Sequence, residues 1–295
     1  MRAYPFVTVD VFTDKRFGGN PLAVFTDARG LSDAEMQALA AEFNLSETTF
    51  VLPPRDEAHT AQVRIFNRTA EMPFAGHPNV GTGYVLAAQG RDLDGVLVFE
   101  EPAGLVEVKV DRDAAGQVTG ATIAAPQPLR LGLEPPVEAL AACAGLDQGD
   151  LLVGAHRPVQ ASVGIPFIIA QVADAALAGA SPVPGRFREA QTEWPALKDR
   201  FALYLYARDG ERIRARMFAP LSGTFEDPAT GSAAAPLAAL LLSLTQDTSR
   251  SYDIAQGVEM GRPSLLHATA RRGEDGIRAS VGGGCVPVLR GEALL

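Results

Sequence analysis

The stretch EMPFAGHPNVGTGYVL, residues 71–86, places a histidine and a proline directly before a run of small and apolar residues. The stretch TFEDPATGSAAAPLAALL, residues 224–241, has the same layout with an aspartate in place of the histidine. His77 and Asp227 are 150 residues apart, and Gly81 and Gly231 have the same separation. In a chain of 295 residues, a repeat at half the length predicts two duplicated domains.

Both stretches predict the start of a buried helix. Proline is favoured in the first turn of a helix, so the pattern predicts that His77 and Asp227 occupy the N-cap positions. The small residues that follow leave the first-turn N–H groups open to an anionic ligand. For either stretch alone, a structural cap or a loop residue is the simpler explanation. The repeat favours a shared site that is built from both.

Composition and charge argue against a nucleic-acid-binding protein and against a membrane-spanning protein. The formal net charge is −9 and the pI is about 5.0, which argues against a nucleic-acid-binding face. The most apolar run, residues 233–244, is too short to cross a bilayer and contains a proline. The beginning of the chain has no apolar signal core. We therefore expect a cytoplasmic protein with no membrane partner. Cys143 and Cys285 belong to no metal-binding or disulfide pattern.

The remaining chain predicts a strand-rich α+β fold. Ser32 and Glu35 form a capping-box pattern, and the helix that follows is expected to end at Asn44. One strand is expected over residues 158–172 and a short helix over residues 194–200. The proline- and leucine-rich segment at 126–135 suits a link between domains. No glycine pattern typical of a dinucleotide-binding domain is present.

Glu47 is a third candidate for chemistry. It lies in NLSETTFVL, where a helix gives way to a strand. A solvated carboxylate is the default interpretation of a single glutamate. The apolar neighbours instead favour partial burial, which would raise its pKa towards neutrality, as a general base requires.

Several motifs together resemble the PhzF-like isomerase family of phenazine biosynthesis. They are GNPLAVF, NLSETTFV, RIFNRTAEMPFAGHPNVGTGYVL, MFAPLSGTFEDPATGSAAAPLAALL and QGVEMGRPS, which cover nearly the whole chain in order. The resemblance implies a diaminopimelate epimerase-like fold: two pseudo-symmetric domains, each a mostly antiparallel, barrel-like sheet wrapped around a central helix. It implies domains at 1–125 and 126–283, with the last strand, 284–295, returning to the first. A homodimer with a cleft between the domains is also implied.

The resemblance also assigns roles. It implies that Glu47 shuttles a proton and that His77, Asp227 and Ser232 line the site. Gly76 and Gly231 would offer backbone N–H groups to a substrate carboxylate. Pro78 and Asn20 complete the expected pocket. Related racemases carry a cysteine at each helix start, so the two-thiol mechanism does not apply to this sequence.

We therefore predict a cofactor-independent isomerase, with no metal, that acts on a small carboxylate-bearing molecule. His77 would donate or relay a proton, and Asp227 would tune its charge. An amino-acid racemase, an epimerase or a dehydratase is the alternative within enzymes. A metal-dependent hydrolase that uses the same three side chains is a further alternative, as is a non-catalytic protein that binds a small carboxylate.

Overall fold

A computed structural model describes residues 2–197 and 201–295. The chain divides into two compact units. The first unit combines Met1–Ala124 with Gly282–Leu295, and the second is Ala125–Val281. Each unit therefore has its own core, and the end of the chain belongs to the first.

The elements of the first unit, in chain order, are β1 (Ala3–Val11), β2 (Asn20–Phe25), α1 (Asp33–Phe43), β3 (Glu47–Leu52), β4 (Ala61–Phe66), β5 (Glu71–Met72), α2 (Gly76–Ala88), β6 (Val96–Glu101), β7 (Gly104–Arg112) and β8 (Val118–Ala124). The elements that follow are β9 (Arg130–Leu131), α3 (Val137–Ala144), β10 (Val159–Ser162), β11 (Pro166–Gln171), α4 (Asp174–Leu177), α5 (Pro184–Glu193), β12 (Leu203–Asp209), β13 (Arg212–Ala219), β14 (Thr224–Asp227), α6 (Gly231–Ser243), β15 (Ser249–Gln256), β16 (Ser264–Gly273) and β17 (Gly276–Leu294).

The first unit is a closed barrel of eight strands. Pairing runs from β1 through β2, β3, β4, β6, β7 and β8 to β17, which pairs back onto β1. The β2–β3 and β4–β6 pairs are parallel. Helix α2 has 11 buried residues among its 13 and contacts β1, β2, β3, β7 and β8. The barrel is thus wrapped around this apolar helix, which explains why the helix lacks a polar face.

The second unit also wraps a sheet around one helix. Its pairing runs from β9 through β10, β11, β12, β13 and β15 to β16, with parallel pairs at β11–β12 and β13–β15. Helix α6 has 11 buried residues among its 13 and packs on β10, β11, β15 and β16. The mixed α+β class and the barrel-like sheets agree with the sequence prediction. Helices α2 and α6 are too short to cross a bilayer, and no helix in the described residues could do so.

Local signals in the sequence were accurate at α1. The Ser32 hydroxyl accepts from the Glu35 N–H, and the Glu35 carboxylate accepts from the Ser32 N–H, so the capping box is confirmed. Asn44 ends the helix in the left-handed conformation, with φ 53°. Both features depend only on neighbouring residues, which is why a sequence pattern can predict them.

Two local predictions in the second unit need correction. The single strand over 158–172 is wrong, because the chain turns between Ser162 and Pro166 and forms the β10–β11 hairpin. The short helix over 194–200 is a 3₁₀ turn at Pro195–Leu197, and residues 198–200 lie outside the described residues. Helix α5 was not expected, since its mostly polar sequence buries only Phe187 and Ala190.

Candidate active site

Helix α2 begins two residues earlier than its proline suggests. Gly76 is the first helical residue and Ala75 is the N-cap, with extended backbone at φ −153° and ψ 143°. His77 and Pro78 are therefore the second and third residues of the helix, and the prediction of His77 as N-cap is wrong. Proline fits anywhere in the first turn, because its missing N–H has no partner within the helix there. The Ala75 side chain has no polar atom, so it gives the first-turn N–H groups no capping partner.

Helix α6 begins later than predicted. Gly231 is its first residue and Thr230 is the N-cap, whereas Asp227 is the last residue of β14. The prediction of Asp227 as N-cap is wrong, because Pro228 lies in the loop between strand and helix. Counted from the two helix starts, Gly231 corresponds to Gly76, and Ser232 rather than Asp227 corresponds to His77.

Glu47 and His77 lie together in the first unit. Glu47 is the first residue of β3, and its Oε2 is 3.2 Å from Nδ1 of His77. The side chains are 17% and 5% exposed, respectively. Nε2 of His77 is buried and has no hydrogen-bond partner within residues 2–197 and 201–295. A carboxylate oxygen accepts, so we assign the imidazole proton to Nδ1 and leave Nε2 as a buried acceptor.

Burial decides the charge of His77. Desolvation lowers the pKa of the imidazole to about 3, and the backbone carbonyl of Pro21 opposes this with a smaller effect. The ring is therefore neutral near pH 7. A neutral imidazole can accept or relay a proton and can hold Glu47 by a hydrogen bond, but it does not act as a fixed cation.

Two close contacts hold α2, which carries His77, against the strands that lead to Glu47. The hydroxyls of Thr49 on β3 and Thr82 on α2 are hydrogen-bonded at 2.8 Å in the core. Gly81 allows close approach, since a Cβ there would lie 2.6 Å from Leu22 Cδ2. Because α2 is fixed directly against β2 and β3, the carboxylate and the imidazole are held by the barrel rather than by a loop.

Asn20 lies at the same edge of the barrel as Glu47. It is the first residue of β2 and is completely buried. Leu22 on β2 pairs with Glu47 on β3 in a parallel register, so both strands begin at this edge. Asn20, Pro21 and Glu47 therefore come from two adjacent strand starts, which sequence spacing alone did not reveal.

Asp227 lies in a buried hydrogen-bond network of the second unit. Its Oδ2 accepts a 2.6 Å hydrogen bond from the Thr230 hydroxyl, which is why that hydroxyl does not cap α6. Gln256 Nε2 donates to the Asp227 carbonyl at 2.8 Å and to Thr230 Oγ1 at 3.0 Å. Gln256 Oε1 accepts from the Thr230 N–H and from the Tyr204 hydroxyl. Burial and the nearby Asp227 raise the pKa of Tyr204, so its hydroxyl keeps the proton that it donates.

The motif QGVEMGRPS holds the loop before α6. Its first residue, Gln256, supplies the bonds described above, and its Ser264 donates to the Pro228 carbonyl at 2.9 Å. Gly257 has φ +72°, and a Cβ there would lie 2.5 Å from the Pro228 oxygen. The motif contributes to the family resemblance, but the sequence indicates no role for these residues. Their partners lie between 26 and 52 residues away in sequence, and no local signal identifies them.

The other two predicted site residues of the second unit, Gly231 and Ser232, begin helix α6. Gly231 is buried and Ser232 is partly buried, as the first two residues of the helix. Glu226, next to Asp227, is held by two 2.8 Å hydrogen bonds from the guanidinium of Arg216. This buried fork fixes β14 against β13.

The two cysteines lie outside both sites. Cys143 and Cys285 are buried, and burial raises the pKa of each thiol, to about 12 for Cys143. Both therefore stay protonated and chemically inert near neutral pH. Within residues 2–197 and 201–295, no three histidine, cysteine, aspartate or glutamate side chains are arranged to hold a metal ion.

Comparison with known proteins gives these sites a family context. Residues 9–291 match the family model PhzC-PhzF, described as phenazine biosynthesis-like protein. The chain belongs to the PhzC-PhzF family. An uncharacterised isomerase of Mesorhizobium japonicum is 38% identical to this PhzC-PhzF member and covers 100% of both chains. Trans-2,3-dihydro-3-hydroxyanthranilate isomerase of Pseudomonas chlororaphis is also 38% identical, over 98% of this chain and 99% of that enzyme.

A solved structure supports the same assignment. The PhzF-family protein of Bacillus anthracis superposes with a TM-score of 0.88 at 25% identity, and the match covers 100% of both chains. The fold of this PhzC-PhzF member is therefore that of its family. Since its close relatives are named isomerases, the protein is an isomerase.

Proposed function

We propose that the protein is a cofactor-independent isomerase in which Glu47 moves a proton between two carbons of a small carboxylate-bearing metabolite. The contact between the Glu47 carboxylate and the buried, neutral His77 carries this proposal. It combines a base with a hydrogen-bond partner at the uncapped start of α2.

The reaction is written as two proton transfers. Glu47 removes a proton from a carbon that is activated by a neighbouring carboxylate or enamine, so a C–H bond breaks and an O–H bond forms. The electron pair shifts through the conjugated system. Glu47 then returns the proton to a second carbon, which regenerates the carboxylate and yields an isomer with no other product. His77 keeps Glu47 oriented during both steps through Nδ1.

The developing negative charge requires preorganised donors. The N–H of Gly76 lies at the start of α2, where the helix dipole favours an anion. In the same way, the Gly231 N–H and the Ser232 hydroxyl lie at the start of α6. We assign the Gly76 N–H to the substrate carboxylate. Pro78 contributes no N–H and shapes the first turn, Asn20 borders Glu47, and Asp227 acts through the loop that it stabilises.

The names of the relatives provide the first substrate to test. Trans-2,3-dihydro-3-hydroxyanthranilate carries a carboxylate on a partly reduced ring, which fits the chemistry above. We propose it, or a molecule with the same acidic C–H next to a conjugated carboxylate, as the substrate class.

The test is solvent-deuterium incorporation into that substrate. In deuterated water, the wild-type protein should introduce deuterium and form an isomer, whereas Glu47→Gln should lower the rate by about 10²- to 10⁴-fold, the usual contribution of a general base. Glu42→Gln, an exposed glutamate on α1, is the matched control and should leave the rate unchanged. Equal deuterium incorporation by wild type and Glu47→Gln would overturn the assignment. Chiral analysis of the product separates isomerisation from racemisation.

A further inference from the structure

Glu101 is a buried carboxyl group that the proposed reaction does not use. It is the last residue of β6, just before the Pro102 turn into β7. Both carboxyl oxygens are buried, and neither has a hydrogen-bond partner in the described part of the chain. An ionised carboxylate without donors is strongly unfavourable in such surroundings, so its protonation state needs an explanation.

Asn79 is the polar side chain near Glu101, since its amide acts on the Glu101 carboxyl group and lowers the pKa of that group. It is the fourth residue of α2 and is completely buried. Its Nδ2 donates to the Ala75 carbonyl at 3.0 Å, across the first turn of the helix. Its Oδ1 is a buried acceptor with no partner among residues 2–197 and 201–295. Three acceptors, two on Glu101 and one on Asn79, therefore lack a donor. A proton on one Glu101 oxygen could serve Asn79 Oδ1, and an Asn79 N–H could serve the other Glu101 oxygen.

The charged groups around Glu101 make no hydrogen bond to its carboxyl oxygens in the described residues. They line a pocket of about 410 Å³ and come from four elements or their adjoining loops: Arg55, Arg64, Glu71 and Glu100. Arg64 donates two hydrogen bonds to Glu71, at 2.7 and 2.6 Å, and also binds Asp33. This cation is therefore already paired with other carboxylates.

Glu100, the residue before Glu101, differs from it because its carboxylate has donors of its own. Its carboxylate accepts from the backbone N–H groups of Arg55 and Asp56 and contacts His59 Nδ1 at 2.9 Å. The Asp56 N–H, the His59 contact and the Arg55 N–H lower the pKa of Glu100 to about 2, so it is ionised near neutral pH. Burial raises the pKa of Glu101 to about 8, and the Asn79 amide opposes this only partly.

We propose that Glu101 is a protonated carboxyl group that forms a reciprocal pair of hydrogen bonds with the Asn79 amide and thereby positions the first turn of α2. The Glu101 O–H donates to Asn79 Oδ1, and an Asn79 N–H donates to the other Glu101 oxygen. The second Asn79 N–H keeps its bond to the Ala75 carbonyl. All three orphan acceptors are involved, and one proton completes the pair.

The pair lies close to the catalytic candidates in sequence and along the helix. His77 is two residues before Asn79 in the same turn, and Gly76 is three residues before it. The β6–β7 turn also contacts the segment before the helix, since the Ala103 N–H donates to the Pro73 carbonyl at 3.1 Å. Glu101 is thus a positioning residue. Its effect on turnover rests on the proposed function, whereas its protonation does not.

The raised pKa of Glu101 predicts how the stability of the folded state changes with pH. The pKa is raised in the folded state, to about 8 from an ordinary value of 4.5. Between about pH 4.5 and about pH 8, the folded state therefore holds a proton on Glu101 that the unfolded state has released. The stabilisation is complete below about pH 4.5 and is lost as the pH rises to about 8.

The experiment measures the proton first and its consequences second. The infrared C=O band of a protonated carboxylic acid should be present at about pH 7 in the wild type and absent in Glu101→Gln. Glu107→Gln, an exposed glutamate on β7, is the matched control and should retain the band. An amide can replace the protonated acid in the pair, so Glu101→Gln should melt several degrees above the wild type at about pH 9 but not at about pH 4.

Activity provides the test of positioning. With the substrate class proposed above, the wild-type rate should decline above about pH 8, and Glu101→Gln should remove this decline. The absence of the infrared band in the wild type would overturn the proposal, whatever the activity. Equal melting shifts for Glu101→Gln at both pH values would also overturn it. A retained band with unchanged pH–rate profiles would reject the positioning role.

Discussion

The starts of α2 and α6 differ in how their polar groups are used. Both helices have 13 residues, begin with glycine and have no side-chain cap. At α2, His77 lies within the first turn, contacts Glu47, and has a buried Nε2 without a partner in the described residues. At α6, Asp227 lies four residues before the helix and is bound by Thr230 and, through its carbonyl, by Gln256.

The difference separates reactive groups from supporting groups. A polar atom that is buried without a partner is costly, and functional sites are where such costs are retained. The start of α2 has this property. The network at Asp227 instead gives many buried polar atoms a hydrogen-bond partner, which is typical of a structural role. We therefore expect substitutions at α2 to change chemistry first and substitutions around Asp227 to change stability first.

The largest effect is expected for Gln256→Leu. This change removes the partner of Tyr204, Thr230 and the Asp227 carbonyl in a site of similar volume. Each buried polar group that is left without a partner costs about 1–3 kcal/mol, so a loss of about 3–5 kcal/mol in the free energy of unfolding is expected. Denaturant unfolding would measure it. A loss below about 1 kcal/mol would contradict a structural role for the network.

Glycine substitutions compare the close contacts in the two units. In Gly257→Ala, the new Cβ meets backbone oxygens of Pro228 and Arg262 at 2.5 Å, with φ +72°. In Gly81→Ala, the Cβ meets the side-chain ends of Leu22 and Val11 at 2.6 and 2.7 Å.

Side chains move more easily than backbone. We therefore expect losses of about 3 kcal/mol for Gly257→Ala and about 1–2 kcal/mol for Gly81→Ala in thermal or denaturant unfolding. Gly261→Ala is the control, because Gly261 has the same φ and no atom within 4 Å of the new Cβ. If Gly261→Ala were as destabilising as Gly257→Ala, backbone conformation rather than close contact would explain the effect.

His77→Gln tests the chemical role of α2. The amide retains a donor near Glu47 but loses the imidazole, so turnover should fall about 10- to 100-fold while the free energy of unfolding changes by about 1 kcal/mol or less. Steady-state kinetics and melting curves on the same preparation would measure both. His267→Gln, on an exposed histidine, should change neither value. A loss of stability without a loss of turnover would assign His77 to the scaffold.

The pH dependence that His77 gives to stability has little effect near neutral pH and grows only in acid. Burial lowers its pKa to about 3 in the folded state, from 6.5. Between these values the unfolded chain binds a proton that the folded chain does not, so this contribution is complete above about pH 6.5 and decreases as the pH falls towards 3. Melting temperatures over this range should fall more steeply in the wild type than in His77→Gln. Parallel curves would show that the imidazole takes up its proton in the folded state.

Sequence patterns predicted the features that depend on neighbouring residues. The capping box at Ser32 and Glu35, the left-handed end at Asn44 and the two apolar helices follow from local chemistry. The helix starts were displaced, because proline is accepted at several first-turn positions and does not mark one of them. The motif resemblance identified the family from residue identities, which need no geometry.

The sequence by itself determined the family, the α+β class and the candidate groups Glu47, His77 and Asp227. Only the tertiary structure decided their partners. Glu47 meets His77 because parallel strand pairing fixes β3 against β2 and α2 packs inside the barrel. Gln256 meets Asp227 across some 30 residues of chain. Charge and reactivity follow from such contacts, because burial and hydrogen bonding, rather than residue type, set where a proton resides.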